Sequence, residues 1–249
     1  MQINIVVSKI KQLPHYVFTA IKEMLGKFGK FDKAVAILFL VVIPLLLFGI
    51  WSYGLYCTQG ITYADVIKDC PAINLSYTGN PFWSLSAITS NFIHDKSIGH
   101  IADNLASNYL YLLTIYFFAA IFLKNGTLSS VFPVSFGILI AFILTVLFGP
   151  FISMLYFIKM PQFGLPTYGY SSVTNAFLGL WAYFMLNAPA MKNSIFSKIT
   201  PLITVILLCY LAFGMEFGGG NPFIHVVGLM TGAFAGLLSI HVASSKWRC

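Results

Sequence analysis

The feature that most limits this chain is a series of apolar stretches, each the length of a membrane crossing and nearly free of charge. A helix needs about 20 mostly apolar residues to cross the hydrocarbon core of a bilayer. Six stretches meet that requirement, at about residues 34–56, 98–123, 129–157, 168–186, 199–215 and 221–243. Only 8% of the side chains are charged, against roughly a quarter in a soluble domain. That scarcity excludes a water-soluble globule, a disordered chain and a nucleic-acid-binding protein. The expected fold class is an all-α membrane protein: a six-helix membrane domain over residues 33–245, preceded by a segment 1–32 and followed by a short tail 246–249. The first apolar run starts too late and is too long for a removable signal peptide. Gly149-Pro150 falls inside the third stretch and predicts a kink or an end there.

Charge placement orients the spans. With six crossings, one side holds Lys9, Lys11, Lys22, Lys27, Lys30, Lys33, Lys124, Lys192, Lys198, Lys246 and Arg248, and the other only Lys68, Lys96 and Lys159. The positive-inside rule then puts both termini in the cytoplasm. The net charge of +7 is thus a topological signal and implies no acidic partner. Within residues 1–32, Ile10, Leu13, Val17, Ile21, Met24, Leu25 and Phe28 recur at helical spacing with lysines between them. This pattern predicts an amphipathic helix on the cytoplasmic membrane surface, with lipid as its partner.

Polar residues inside spans are costly and mark function by default. Three groups open the second, fourth and sixth stretches. His100 and Asn104 are four apart and share a helix face. Ser171 and Ser172 follow Gly169-Tyr170 at the start of the fourth. In the sixth, Asn221-Pro222 is a helix-start signal, and His225 lies about 6 Å further along. Gly228, Gly232 and Gly236 then repeat every fourth residue on the face of His225. Such a stripe lets two helices touch backbone to backbone, with Ser172, Ala176 and Gly179 as the candidate facing surface. These three spans run in the same direction, so Ser171, His225, His100 and Asn104 lie at similar depth beneath three positive helix ends. A serine needs a neighbouring base, for which His225 is the candidate. A developing oxyanion needs donors, for which the Ser171 N–H, His100 and Asn104 qualify.

With these residues in order, the sequence resembles the rhomboid family of intramembrane serine proteases over about residues 80–240. The likeness rests on Trp83-Ser84-Leu85 leading through Thr89-Ser90-Asn91-Phe92-Ile93-His94 to His100-x-x-x-Asn104, on Gly169-Tyr170-Ser171-Ser172, and on His225-Val226-Val227-Gly228-Leu229-Met230-Thr231-Gly232. It implies a serine-type endopeptidase that cleaves transmembrane segments of other proteins. In it Ser171 is the nucleophile, His225 the base, and His100 and Asn104 the oxyanion helpers. His94 matches an additional upstream histidine. Four features depart from the family: Ser172 stands where Gly is usual, Asn175 where many relatives carry an aromatic that supports the base, Asp103 beside Asn104 is unusual, and the Trp-Arg pair of many first outer loops is absent, the only Arg being Arg248. Asn175 is therefore the candidate for supporting His225 by a hydrogen bond instead.

Other chemistries have less to stand on. The chain has no His-Glu-x-x-His and no Gly-x-Gly-Asp, and its only glutamates are Glu23 and Glu216. A metal held by His94, Asp95, His100 and Asp103 would leave Ser171 and His225 without a role. No cofactor and no metal are expected. The location implied is a bacterial inner membrane, as a multi-pass protein with both termini cytoplasmic. The alternative is a catalytically inactive relative that binds membrane helices for quality control or trafficking. The sequence is silent on oligomeric state.

Overall fold

The computed structural model describes residues 18, 19, 21–58, 92, 98–126, 128–159, 170–187 and 222–243. The fifth apolar stretch, His94, Asn221 and most of segment 1–32 lie outside these residues. Every regular element among the described residues is helical: α1 (Lys30–Ile37), a π-helical turn (Leu38–Val42), α2 (Ile43–Thr58), α3 (Ile98–Lys124), α4 (Phe132–Lys159), α5 (Ser171–Asn187) and α6 (Pro222–Ala243). Three stretches, Lys30–Tyr53, Ile98–Lys124 and His225–Val242, are long and apolar enough to cross a membrane. This is the make-up of an all-α membrane protein.

The first of these helices starts at Gly29, whose N–H donates to the Asp32 carboxylate at 2.9 Å. That bond satisfies one of the donors a helix N-terminus leaves free and puts a negative charge at its positive end. The π-helical turn then interrupts the regular ladder and displaces its carbonyls. Side chains of α3 take two of them: Asn108 Nδ2 donates to the Phe39 carbonyl and the Tyr109 hydroxyl to the Leu40 carbonyl, both at 3.0 Å. The Phe39 ring meets Phe142 of α4 and Phe177 of α5 edge-on, at 5.0 and 5.5 Å. Three helices are thus joined at one turn of the first.

Of the kink or end expected at Gly149-Pro150 the end is excluded, since α4 runs on to Lys159. Proline is tolerated in helices at membrane depth, where neighbouring groups make good the lost hydrogen bond. The amphipathic segment is also not a purely lipid-facing element. Residues 21–26 are helical, Leu25 is exposed, but Met24 is buried in the core and the Phe28 ring packs on Tyr116 of α3 at 5.5 Å.

The core centres on α5, where Val173, Ala176, Phe177 and Leu180 are fully buried, as is Tyr170 just before it. α5 packs on α3, α4 and, most extensively, α6. The α5–α6 contact is made through backbone. A Cβ at Gly228 would fall on the Ser172 carbonyl oxygen, one at Gly232 on that of Ala176, and one at Gly179 on that of Leu229. Further along, Gly236 accommodates the Tyr183 ring. Ser172 pairs with Gly228 and Ala176 with Gly232, so the two helices run parallel and their N-termini lie at the same end.

Candidate active site

That end of the α5–α6 pair holds the two residues on which the sequence places chemistry. Ser171 is the first residue of α5, and His225 lies in the first turn of α6. His225 Nε2 and Ser171 Oγ are 2.7 Å apart, a direct hydrogen bond between residues 54 positions apart in the chain. Both side chains are half-buried. With Nε2 accepting the serine proton, the imidazole carries its own hydrogen on Nδ1. Nδ1 is buried and has no hydrogen-bond partner among the described residues. Among the described residues the arrangement is Ser171 and His225 alone, with the close α5–α6 packing directly below them.

Asn175 does not support the histidine. Its Nδ2 donates instead to the Ser171 carbonyl at 2.8 Å, and the Thr174 hydroxyl donates to the same carbonyl at 2.9 Å. Both residues act on the backbone of the serine, fixing the first turn that carries it. The spacing of three and four residues is the readable sign of such a bond, although Ser, Thr and Asn also occur there for other reasons. Ahead of the serine, the buried Tyr170 ring packs 6.3 Å from Phe92, which also meets Phe142. Tyr170 thus anchors the turn into α5. The adjacent Ser172 is fully buried under Gly228 and is no second surface hydroxyl.

His100 and Asn104 stand on α3, in its first two turns. The imidazoles of His100 and His225 lie within electrostatic reach of each other. Asn104, one turn further along, is buried at 4% exposure, while Asp103 points to the exposed side. Ser171 and His225 are therefore brought to one place, and His100 lies on the helix face that it shares with Asn104, one turn apart; His94 lies outside the described residues. Two helix N-termini converge here, where backbone N–H groups lack intrahelical acceptors and favour developing negative charge. A serine hydroxyl bonded to an imidazole beside such donors is an arrangement suited to acyl transfer.

No family model matches this chain, and no curated protein or solved structure does.

Proposed function

We propose that this protein is an intramembrane serine endopeptidase of rhomboid type, cleaving transmembrane segments of other membrane proteins with Ser171 and His225. The observation that carries this reading is the 2.7 Å bond between Ser171 Oγ and His225 Nε2 at the N-terminal end of two parallel apolar helices. In the reading, six spans cross the membrane with both termini in the cytoplasm, and the site opens toward the other face.

The Ser171 oxygen attacks the scissile carbonyl carbon while its proton passes to His225 Nε2. The carbonyl oxygen becomes an oxyanion and takes hydrogen bonds from the Ser171 N–H, His100 and Asn104. As the C–N bond breaks, the imidazolium gives the proton to the leaving amine. Water then attacks the acyl-serine with His225 again as base, releasing a carboxylic acid and restoring Ser171. The substrate must expose an extended segment, so small, helix-breaking residues near its outer membrane end are favoured.

A catalytically silent, helix-binding role is the second reading, favoured by an Nδ1 of His225 that has no hydrogen-bond partner among the described residues. The test is cleavage in reconstituted vesicles of model single-span proteins carrying such a helix-breaking site. Site-specific cleavage abolished by Ser171→Ala supports the protease. Stable binding of the same substrates without cleavage supports the silent binder.

A further inference from the structure

The helix that carries His225 packs extensively on α4 as well as on α5, and the proteolytic reading makes no use of the α4 contact. Gly137 of α4 lies against Ser239: a Cβ there would stand 3.2 Å from the Ser239 oxygen and 3.0 Å from the Leu180 side chain of α5. Further along, the hydroxyls of Thr145 on α4 and Thr231 on α6 are 2.8 Å apart. Gly137 meets Ser239 and Thr145 meets Thr231, so α4 and α6 run antiparallel. Ala141 and Ala235, midway between these contacts on their own helices, are fully buried, as are Thr145 and Ser239. Small residues at every fourth position on both helices form this seam.

A hydroxyl has a single hydrogen to donate. That of Thr231 goes to the Gly228 carbonyl, 2.8 Å away and one turn back in the same helix. Thr145 is therefore the donor of the pair and Thr231 Oγ1 its acceptor. Two hydrogen bonds thus lead from α4 through Thr231 to Gly228, the residue that rests on the Ser172 carbonyl next to Ser171. Ser239 donates to the Gly236 carbonyl in the same way, at 2.8 Å, but the α4 residue against it is Gly137, which has no side chain to donate. The threonine pair is what gives the seam a directional bond.

The backbone contact fixes how closely α5 and α6 approach, and a second contact elsewhere on the circumference fixes how α6 is rotated. At 3.6 residues per turn, Thr231 lies about 60° around α6 from Gly228 and about 100° from Gly232. The rotation matters to His225, whose Nδ1 has no hydrogen-bond partner among the described residues to steer the ring. Where Nε2 points, and hence the 2.7 Å bond to Ser171 Oγ, follows from how the helix is set.

We propose that Thr145 is a positioning residue for catalysis: its hydrogen bond to Thr231 fixes the rotation of α6 and keeps His225 Nε2 on Ser171 Oγ. The proposal rests on the proteolytic reading. The test is fluorophosphonate labelling of the full-length protein in detergent, well below each variant's unfolding midpoint, with the rate followed against probe concentration. Thr145→Val puts a methyl group where the donor was. It should lower the limiting rate by about tenfold or more and leave the half-saturating probe concentration unchanged. Thr145→Ser keeps the donor and should label at close to the wild-type rate. Asn108→Ala, which removes a buried bond between the first helix and α3, controls for lost stability alone and should also label like the wild type. Should Thr145→Val fail to fold, Thr231→Val removes the acceptor and carries the same test. An undiminished limiting rate in Thr145→Val, an equal loss in Asn108→Ala, or a loss that Thr145→Ser does not restore would overturn the proposal and leave the protease reading standing. A wild type that does not label at Ser171 would overturn both.

Discussion

Gly228 of α6 rests on the carbonyl oxygen of Ser172, so the helix that carries His225 is locked against the backbone one residue from Ser171. One turn on, Gly232 rests on Ala176 in the same way. His225, whose Nδ1 has no hydrogen-bond partner among the described residues, depends on this contact for its position.

Gly232→Ala should therefore damage both stability and the site. Its Cβ would land on the Ala176 carbonyl, which is backbone and cannot swing aside. Overpacking of this kind costs about 1–3 kcal/mol, and pushing the helices apart lengthens the Ser171–His225 bond. Thermal unfolding and the rate of active-serine labelling should both fall. Gly49→Ala, where a Cβ meets nothing within 4 Å, should leave both unchanged.

Asn175→Ala separates the two roles open to this residue. Because its amide bonds the Ser171 carbonyl and not the imidazole, the loss should be about 1 kcal/mol of stability. The pH dependence of labelling should keep the wild-type shape. A shifted profile, read by labelling rates across pH, would place Asn175 on the histidine after all.

The π-helical turn gives a third expectation. Asn108→Ala strips the Phe39 carbonyl of its partner in a fully buried place and should cost about 1–3 kcal/mol. Tyr109→Phe removes a bond of the same length at an exposed position and should cost less. Unfolding midpoints of the two variants, measured side by side, check the order.

Ser172→Gly restores a smaller residue where the hydroxyl is fully buried. Labelling of the site should persist in this variant at close to the wild-type rate, because the proposed proton transfer runs between Ser171 and His225.

The reading from sequence succeeded where spacing carries the information. Gly228 and Gly232 repeat every fourth residue opposite small residues of α5, and that pattern has one physical use, a close helix contact. Pro222 marks the start of α6 as a missing N–H requires. Asn108 was not legible: an Asn in an apolar helix shows that it needs a partner, but not that a π-turn around Leu38–Val42 supplies one. The sequence sign of that turn is Pro44 just after it, which has no N–H for the Leu40 carbonyl and leaves it to Tyr109. Met24 and Phe28 have the same amphipathic spacing whether they face lipid or the bundle, so periodicity left their docking undecided. Asn175 failed as a guide for a related reason, since its position four residues after Ser171 suits a bond to the backbone as well as one across to His225.

The central claim is that Ser171 is a nucleophile activated by His225. It is tested most directly by treating the detergent-solubilised protein with a fluorophosphonate and mapping the modified peptide by mass spectrometry. The account predicts a single adduct on Ser171, absent from Ser171→Ala and slowed about a thousandfold or more in His225→Ala. An adduct on Ser172, or labelling of Ser171 that proceeds unchanged without His225, would contradict it.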